Sequence, residues 1–204
     1  MIKSRLVAAV CGCISVLFTL APASAALLTP TPDGSVEVVS MMTKDFNYTS
    51  MSNNIMDLGD GTYRFMGNDL ANNGSIDVWN YDWMITANAD PFIESTFTIT
   101  NLTGGTQTFN VSFGLPISPG FSPAYKSGLL DIDFEDTGGS AGASVTLNSW
   151  DGLIDGSSAM TLFAASIPCA GSGCTGSIGP VNNGPLLHIA GVSSDIGIDL
   201  SFDL

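Results

Sequence analysis

The sequence is poor in positively charged side chains. Its 204 residues include five Lys and Arg and one His, against 19 Asp and Glu, for a formal net charge of −14. A negative field of this size repels nucleic acid phosphates and anionic membrane surfaces. We therefore expect no nucleic acid partner and, after export, no membrane partner. The same field favours solubility and attracts divalent cations.

Cysteine is also scarce, with four residues in the whole chain. Cys11 and Cys13 lie in an N-terminal apolar run, so Cys169 and Cys174 are the pair that would remain after removal of that run. In an oxidising compartment, two cysteines separated by four residues predict a short disulfide loop, which stabilises by about 2 kcal/mol in the chain-entropy model. Two thiols without further Cys or His ligands cannot complete a zinc site, and the spacing differs from that of redox motifs.

The long apolar run lies at the N-terminus. Two basic residues precede it, it extends over residues 6–20, and the small-residue triplet Ala23-Ser24-Ala25 follows. This order is typical of a secretory signal peptide, and the run is shorter than the roughly 20 residues that span a bilayer. The sequence therefore predicts a signal peptide over residues 1–25 and one exported domain over residues 26–204, with a formal charge of −16. A retained membrane anchor is the alternative.

Helical periodicity is nearly absent after this run, and alternation of apolar and polar residues dominates. In residues 195–204, apolar side chains occupy every second position. Ten or so such segments, separated by turn residues, predict an all-β fold with a single antiparallel β-sandwich or jelly-roll-like domain. Gly104-Gly105 predicts a hairpin turn with positive φ angles between two strands. The Gly-rich stretches 138–142 and 171–184 predict surface loops.

An acidic segment offers the strongest candidate for a metal site. Asp131, Asp133 and Glu135 alternate with apolar residues, so in a strand they share one face at a spacing of about 7 Å. Carboxylate oxygens are the ligands that calcium prefers. The alternative is a solvated outer face whose charges discourage edge-to-edge pairing.

Three aromatic residues at period two offer a candidate carbohydrate site. Trp79, Tyr81 and Trp83 fall on one face of a strand, where exposed rings would stack on sugars. The alternative is that the rings are part of the core, because large aromatic side chains dominate the interiors of β-proteins. Exposure of the rings separates the two interpretations.

A loose hydrolase pattern is also present. Residues 138–142 match Gly-x-Ser-x-Gly around Ser140, and Asp155 and His188 follow in the order of an α/β-hydrolase triad. That motif requires a strand before the serine and a helix after it. A Gly/Ser-rich stretch followed by a strand-like segment does not provide this context, so we expect no catalytic residues here.

Six short segments between residues 88 and 202 carry a resemblance to a known class of proteins. They are NADPF at 88–92, STFTITN at 95–101, TQTF at 106–109, FGLPI at 113–117, and VSSDIGI with LSF at 192–198 and 200–202. Together they resemble secreted proteins of the bacterial PEP-CTERM class. Such proteins are exported by Gram-negative bacteria that make extracellular polysaccharide, and they end in a Pro-Glu-Pro sorting motif, a membrane segment and a basic tail. This sequence contains none of these three parts and stops where they would be approached. The resemblance therefore implies export and no catalytic residues, and it leaves sorting and anchoring open.

These observations favour a non-enzymatic protein of the cell surface or biofilm matrix, exported by a Gram-negative bacterium. Extracellular polysaccharide is the expected partner, and calcium is the one cofactor that the sequence suggests. The alternatives are a carbohydrate-binding module with an aromatic platform and a secreted hydrolase.

Overall fold

The computed structural model describes most of the chain, in some strands by the backbone alone. The described residues are 6–15, 30–39, 42–47, 54–59, 61–72, 77–88, 92–117, 120, 122, 124–136, 143–162, 165–169, 175–182 and 187–204. All regular secondary structure within these ranges is β-strand, which confirms the predicted all-β fold.

Fifteen strands form within these ranges. In chain order they are β1 (Leu6–Ser15), β2 (Asp33–Val38), β3 (Met42–Asn47), β4 (Ile55–Gly59), β5 (Thr62–Asn72), β6 (Asp77–Asn88), β7 (Phe92–Asn101), β8 (Thr108–Pro116), β9 (Ala124–Asp136), β10 (Ala143–Ile154), β11 (Ser157–Leu162), β12 (Ala165–Cys169), β13 (Thr175–Asn182), β14 (Leu187–Ile189) and β15 (Asp195–Asp203).

The strands make two antiparallel sheets that pack face to face as a β-sandwich. Sheet A has the order β13-β9-β1-β7-β6-β5-β4, with β14 paired to β9. Sheet B has the order β11-β10-β15-β8-β2-β3, with β12 paired to β10. The strand latest in the chain, β15, therefore lies in the middle of sheet B.

Alternation along each strand places one set of side chains between the sheets. In β8, Phe109, Val111, Phe113 and Leu115 are buried while their neighbours are partly exposed, because successive side chains of a strand point to opposite faces. The same pattern in β15 buries the apolar residues that the sequence predicts to share a face. Packing of these two inner faces forms the core.

Aromatic rings join the two sheets. Phe97 of sheet A lies 6.0 Å from Phe113 and 6.3 Å from Phe202 of sheet B, between ring centroids. Phe109 and Phe202, on neighbouring strands, stack at 5.5 Å with an interplanar angle of 17°. Each such pair adds about 0.5–1.5 kcal/mol beyond the burial of its area.

The predicted signal segment has a place in this fold. Residues 6–15 form β1, which pairs with β7 on one side and with β9 on the other. Cleavage after Ala25 would remove β1 from sheet A. In the full chain, the apolar run that we predict to be part of a signal peptide forms a strand. Its removal stays a prediction.

Two local predictions are wrong. Gly104-Gly105 does not make a hairpin, because β7 belongs to sheet A and β8 to sheet B, and neither glycine has a positive φ. The connection is a crossing between sheets. The Gly-rich stretch 171–184 is not loop throughout, since residues 175–182 form β13 and pair with β9. Residues 138–142 lie outside the described part of the chain.

Candidate functional site

The three aromatic residues proposed as a sugar platform lie in the core. Trp79, Tyr81 and Trp83 are 1%, 0% and 7% exposed on the inner face of β6. The ring of Trp79 contacts Tyr81 at 6.3 Å and Phe109 of the opposite sheet at 6.4 Å, between centroids. A ring covered by the second sheet cannot stack on a sugar. The carbohydrate-binding interpretation of these residues is therefore corrected to core packing, which was its alternative.

The acidic candidates for calcium lie in the C-terminal half of β9. Its register aligns Asp131 with Cys11 of β1, and Cys11 in turn with Thr96 of β7. The side chains of Asp131, Asp133 and Glu135 lie outside the described residues, so their calcium site stays a prediction. Among the side chains that are described, no three His, Cys, Asp or Glu residues come together as a metal site.

The disulfide prediction is likewise untested. Cys169 ends β12, where its backbone pairs with Ala143 of β10. Cys174 lies outside the described residues.

Asp155, the acid of the loose triad pattern, is held in a turn by hydrogen bonds from backbone N–H groups. With Gly156 it forms the two-residue turn between β10 and β11, at φ values of 51° and 70°. Its Oδ1 accepts hydrogen bonds from the backbone N–H groups of Ser193 at 2.8 Å and Ser194 at 2.7 Å. The bond from Ser194, followed by those from Ser193 and Asp195, lowers the pKa of the Asp155 carboxyl to about 2. Asp155 thus joins this turn to the segment before β15.

The side chains of the other two members of the triad pattern are not described. Ser140 lies outside the described residues, and His188 lies in β14, where its backbone pairs with Tyr125 of β9. A carboxylate whose lone pairs already accept several N–H groups is a poor orienting group for a histidine.

The outer face of sheet B carries an open groove of about 520 Å³ that crosses β2, β8, β15 and β10. Two cross-strand rows of polar side chains line it. The rows are Ser35, Ser112, Asp199 and Asp151, and beside it Glu37, Asn110, Ser201 and Ser149. We call these eight residues the serine groove. Half of them are serines, whose short side chains leave the face concave.

Hydrogen bonds hold the carboxylates at the two ends of the serine groove. Asn110 Nδ2 donates to Glu37 Oε2 at 2.9 Å on the β2 side. On the β10 side, Ser158 Oγ donates to Asp151 Oδ1 at 2.8 Å, and the Thr161 hydroxyl donates to the same oxygen. These bonds fix two acceptors before any ligand arrives, which lowers the entropy cost of binding.

Asp199 gives the serine groove an unbalanced charge. It is exposed, its carboxylate has no hydrogen-bond partner among the described residues, and it stands directly opposite Asp151 on the next strand. The Cβ atoms of such cross-strand partners are about 5 Å apart, and like charges in this position destabilise a sheet. Among the described side chains that line the groove there is no Lys, Arg or His.

The sequence did not reveal the serine groove. Its residues are the polar half of four ordinary alternating segments that are up to 166 positions apart, from Ser35 to Ser201. Nothing in one segment indicates which strand will be its neighbour. The available signal was the recurrence of Ser, Asp and Asn at outward positions, together with the scarcity of lysine, which usually occupies such positions on a solvated sheet.

The described residues contain no helix that is long and apolar enough to span a bilayer. Comparisons of the chain with protein-family models, with curated proteins and with solved structures find no match.

Proposed function

We propose that this protein is an exported, non-enzymatic component of the bacterial cell surface or biofilm matrix, and that it associates with extracellular polysaccharide through the serine groove. The observation that carries the proposal is the groove itself, which presents hydroxyl, amide and carboxylate groups across four strands. Hydroxyl groups of sugars both donate and accept hydrogen bonds. Serine can meet them in either role, asparagine offers both, and carboxylates accept.

The rest of the molecule supports this proposal. The aromatic residues that could have formed a stacking platform are buried between the sheets, so polar contacts remain as the means of holding a glycan. The strong acidity keeps the protein soluble at the concentrations of a matrix. The apolar N-terminal run followed by Ala23-Ser24-Ala25 favours export.

Localisation of the full chain tests the export part of the proposal. The chain, expressed with an epitope tag in a Gram-negative host, is expected outside the cytoplasm with an N-terminus at Ala26. Ala25→Phe should block cleavage, because signal peptidase requires a small residue before the cut. Leu27→Phe, one position beyond the expected new N-terminus, is the matched control and should be processed. Export would be refuted if both variants, Ala25→Phe and Leu27→Phe, were recovered uncut from the cytosol.

Co-sedimentation with purified exopolysaccharide tests the polysaccharide part. The exported protein is expected in the polysaccharide pellet, and simultaneous replacement of Ser112 and Ser201 by Val should release it. Replacement of Thr96 and Thr98, on the outer face of sheet A, by Val is the control for a general loss of surface polarity. If both double variants sediment equally with the polysaccharide, the serine groove is not the surface that binds it.

A further inference from the structure

We infer that the cleaved protein closes sheet A by direct pairing of β7 with β9, as parallel strands, in the place that β1 holds in the full chain. The inference rests on the proposed export, because removal of residues 1–25 takes β1 away. Its basis is the position of β1, whose ten residues all pair with β7 on one side and with β9 on the other. The signal segment thus holds apart two strands that the mature protein can join.

Removal of β1 leaves two strands without one of their partners. β7 and β9 each lose the ladder that they form with β1. Backbone N–H and C=O groups inside a sheet require partners, and an unpaired edge is a template for another strand. The two edges face each other across the width of one strand, so β7 and β9 are about 10 Å apart at a spacing of about 4.8 Å per strand. The nearest partner for each edge is therefore the other.

The strand directions permit this pairing. β7 and β9 both run antiparallel to β1, so they run parallel to each other. A parallel pair requires a crossover connection of about a dozen residues or more. Residues 102–123, which include β8 in the opposite sheet, supply a longer one. Sheets that combine parallel and antiparallel pairs are common.

The register of the full chain already aligns the two strands. Val10 of β1 lies opposite both Phe97 of β7 and Ile132 of β9. Two positions further along β7, Ile99 is level with Phe134 in the same way. Phe97 and Ile99 are buried in the core, and the apolar residues of the alternating β9 sequence stand at the same levels. A sideways approach therefore joins like positions without a shift along the strands, which would exchange the faces of β9.

Few strands have to move with β9. Within the described residues, β13 and β14 pair with β9 alone. Residues 137–142 and 170–174, which connect this unit to sheet B, are rich in glycine. A movement of about one strand spacing lies within the reach of two extended residues, at about 3.4 Å each. Sheet B contains none of these strands, so the serine groove is unaffected.

A strand from a second copy fits less well. Each of the other described strands already pairs within its own sheet. A second copy would have to release one of them and lose the ladder that this strand forms. Pairing between copies is therefore treated as an outcome of the test.

Disulfide trapping distinguishes the two arrangements of sheet A. Thr98→Cys and Asp133→Cys are introduced at positions that both lie opposite Ala9, in a chain whose four native cysteines are replaced by Ala. With β1 between them their Cα atoms are about 10 Å apart, beyond the roughly 7 Å limit of a disulfide, and direct pairing brings them to about 5 Å. The matched control is Asp82→Cys with Thr98→Cys, at positions directly opposite each other on β6 and β7.

The exported, cleaved protein is expected to form the disulfide between positions 98 and 133 within one molecule. The uncut full chain, refolded from denaturant, is expected not to form it, and the control pair should form its disulfide in both. Hydrogen exchange of the chain without these substitutions is the second measurement. The β7 amides that bond to β1 in the full chain should stay protected after cleavage, because they then bond to β9.

The inference fails if the cleaved protein forms the control disulfide alone, if its β7 amides lose their protection, or if the disulfide joins two copies. It also fails if the uncut chain forms the disulfide between positions 98 and 133, since β1 would then not separate the strands. Hydrogen exchange decides if neither disulfide forms. In all these cases an exported protein whose mass places its N-terminus at Ala26 still supports the proposed function. If the mass shows only the uncut chain, export and this inference are refuted together.

Discussion

Removal of the Asp155 carboxylate charge should destabilise the fold in a pH-dependent way. Asp155 accepts the N–H groups of Ser193 and Ser194 and joins the β10–β11 turn to the start of β15. The change Asp155→Asn keeps the shape, and Asn tolerates the positive φ of 51° at this position. It removes the charge that strengthens these hydrogen bonds.

The magnitude follows from the lowered pKa. The carboxyl has a pKa of about 2 instead of 3.8, and at 1.36 kcal/mol per unit the full shift would correspond to about 2 kcal/mol. Because Asp155 is exposed and solvent screens its charge, we discount this value to about 1 kcal/mol. For a domain of this size, the melting temperature should fall by about 2–4 °C at neutral pH.

The sign of the pH dependence is fixed by the direction of the shift. A lowered pKa contributes stability above the ordinary pKa of about 4, and this contribution is lost as the pH falls towards 2. The difference between wild type and Asp155→Asn should therefore be full at pH 7 and nearly absent at about pH 2. Asp33 has the opposite effect on the total stability, because burial and the nearby Asp195 raise its pKa. Asp33 is present in both wild type and Asp155→Asn, so its contribution cancels when their free energies of unfolding are subtracted.

Urea unfolding followed by tryptophan fluorescence measures this difference. Asp82→Asn is the control, and as an exposed substitution it should change the free energy of unfolding by less than about 0.5 kcal/mol. The reasoning is refuted if Asp155→Asn unfolds with the wild-type midpoint at pH 7, or if its deficit is the same at pH 7 and pH 2.

Two further predictions concern the packing of the sandwich. Gly67→Ala should lower the free energy of unfolding by about 1–3 kcal/mol, because the new Cβ would lie 2.6 Å from Cε2 of Trp83. Gly105→Ala is the control, because a Cβ there meets open space, and it should unfold like wild type. Denaturant unfolding of both variants measures the difference. Asn101→Ala should cost about 1–3 kcal/mol, because the Asn101 amide donates to the Leu204 carbonyl at 2.7 Å in a buried position that water cannot satisfy. Hydrogen exchange at the Gln107 N–H, which bonds to Leu204, should then quicken; unchanged exchange and stability would contradict this account.

The sequence predicted the inner faces of the strands but not their partners. Alternation in residues 195–204 and in β8 identified the buried side chains correctly, because a period of two follows directly from strand geometry. The glycine pair at 104–105 was misread, because a glycine-rich connection serves equally for a hairpin and for a crossing between sheets. Whether two consecutive strands pair is decided by contacts far away in the chain.

The candidate site shows the same division. The face of Trp79, Tyr81 and Trp83 was recognised, but alternation alone does not say which face is covered, and the second sheet settled that question. The serine groove depends on the neighbours of β15, which place Asp199 beside Asp151 although 48 positions separate them. No local pattern contains that information.

The central place of β15 in sheet B determines when the protein can fold. β8 and β10 are synthesised earlier, but within the described residues they are joined only through β15. Pairing over such sequence distances is slow, because the entropy of loop closure is lost before the contacts form. Until residues 195–203 have left the ribosome, sheet B is two separate pieces and its apolar face lacks a continuous partner. Folding of sheet B therefore follows the synthesis of residues 195–203 and does not accompany the synthesis of its earlier strands.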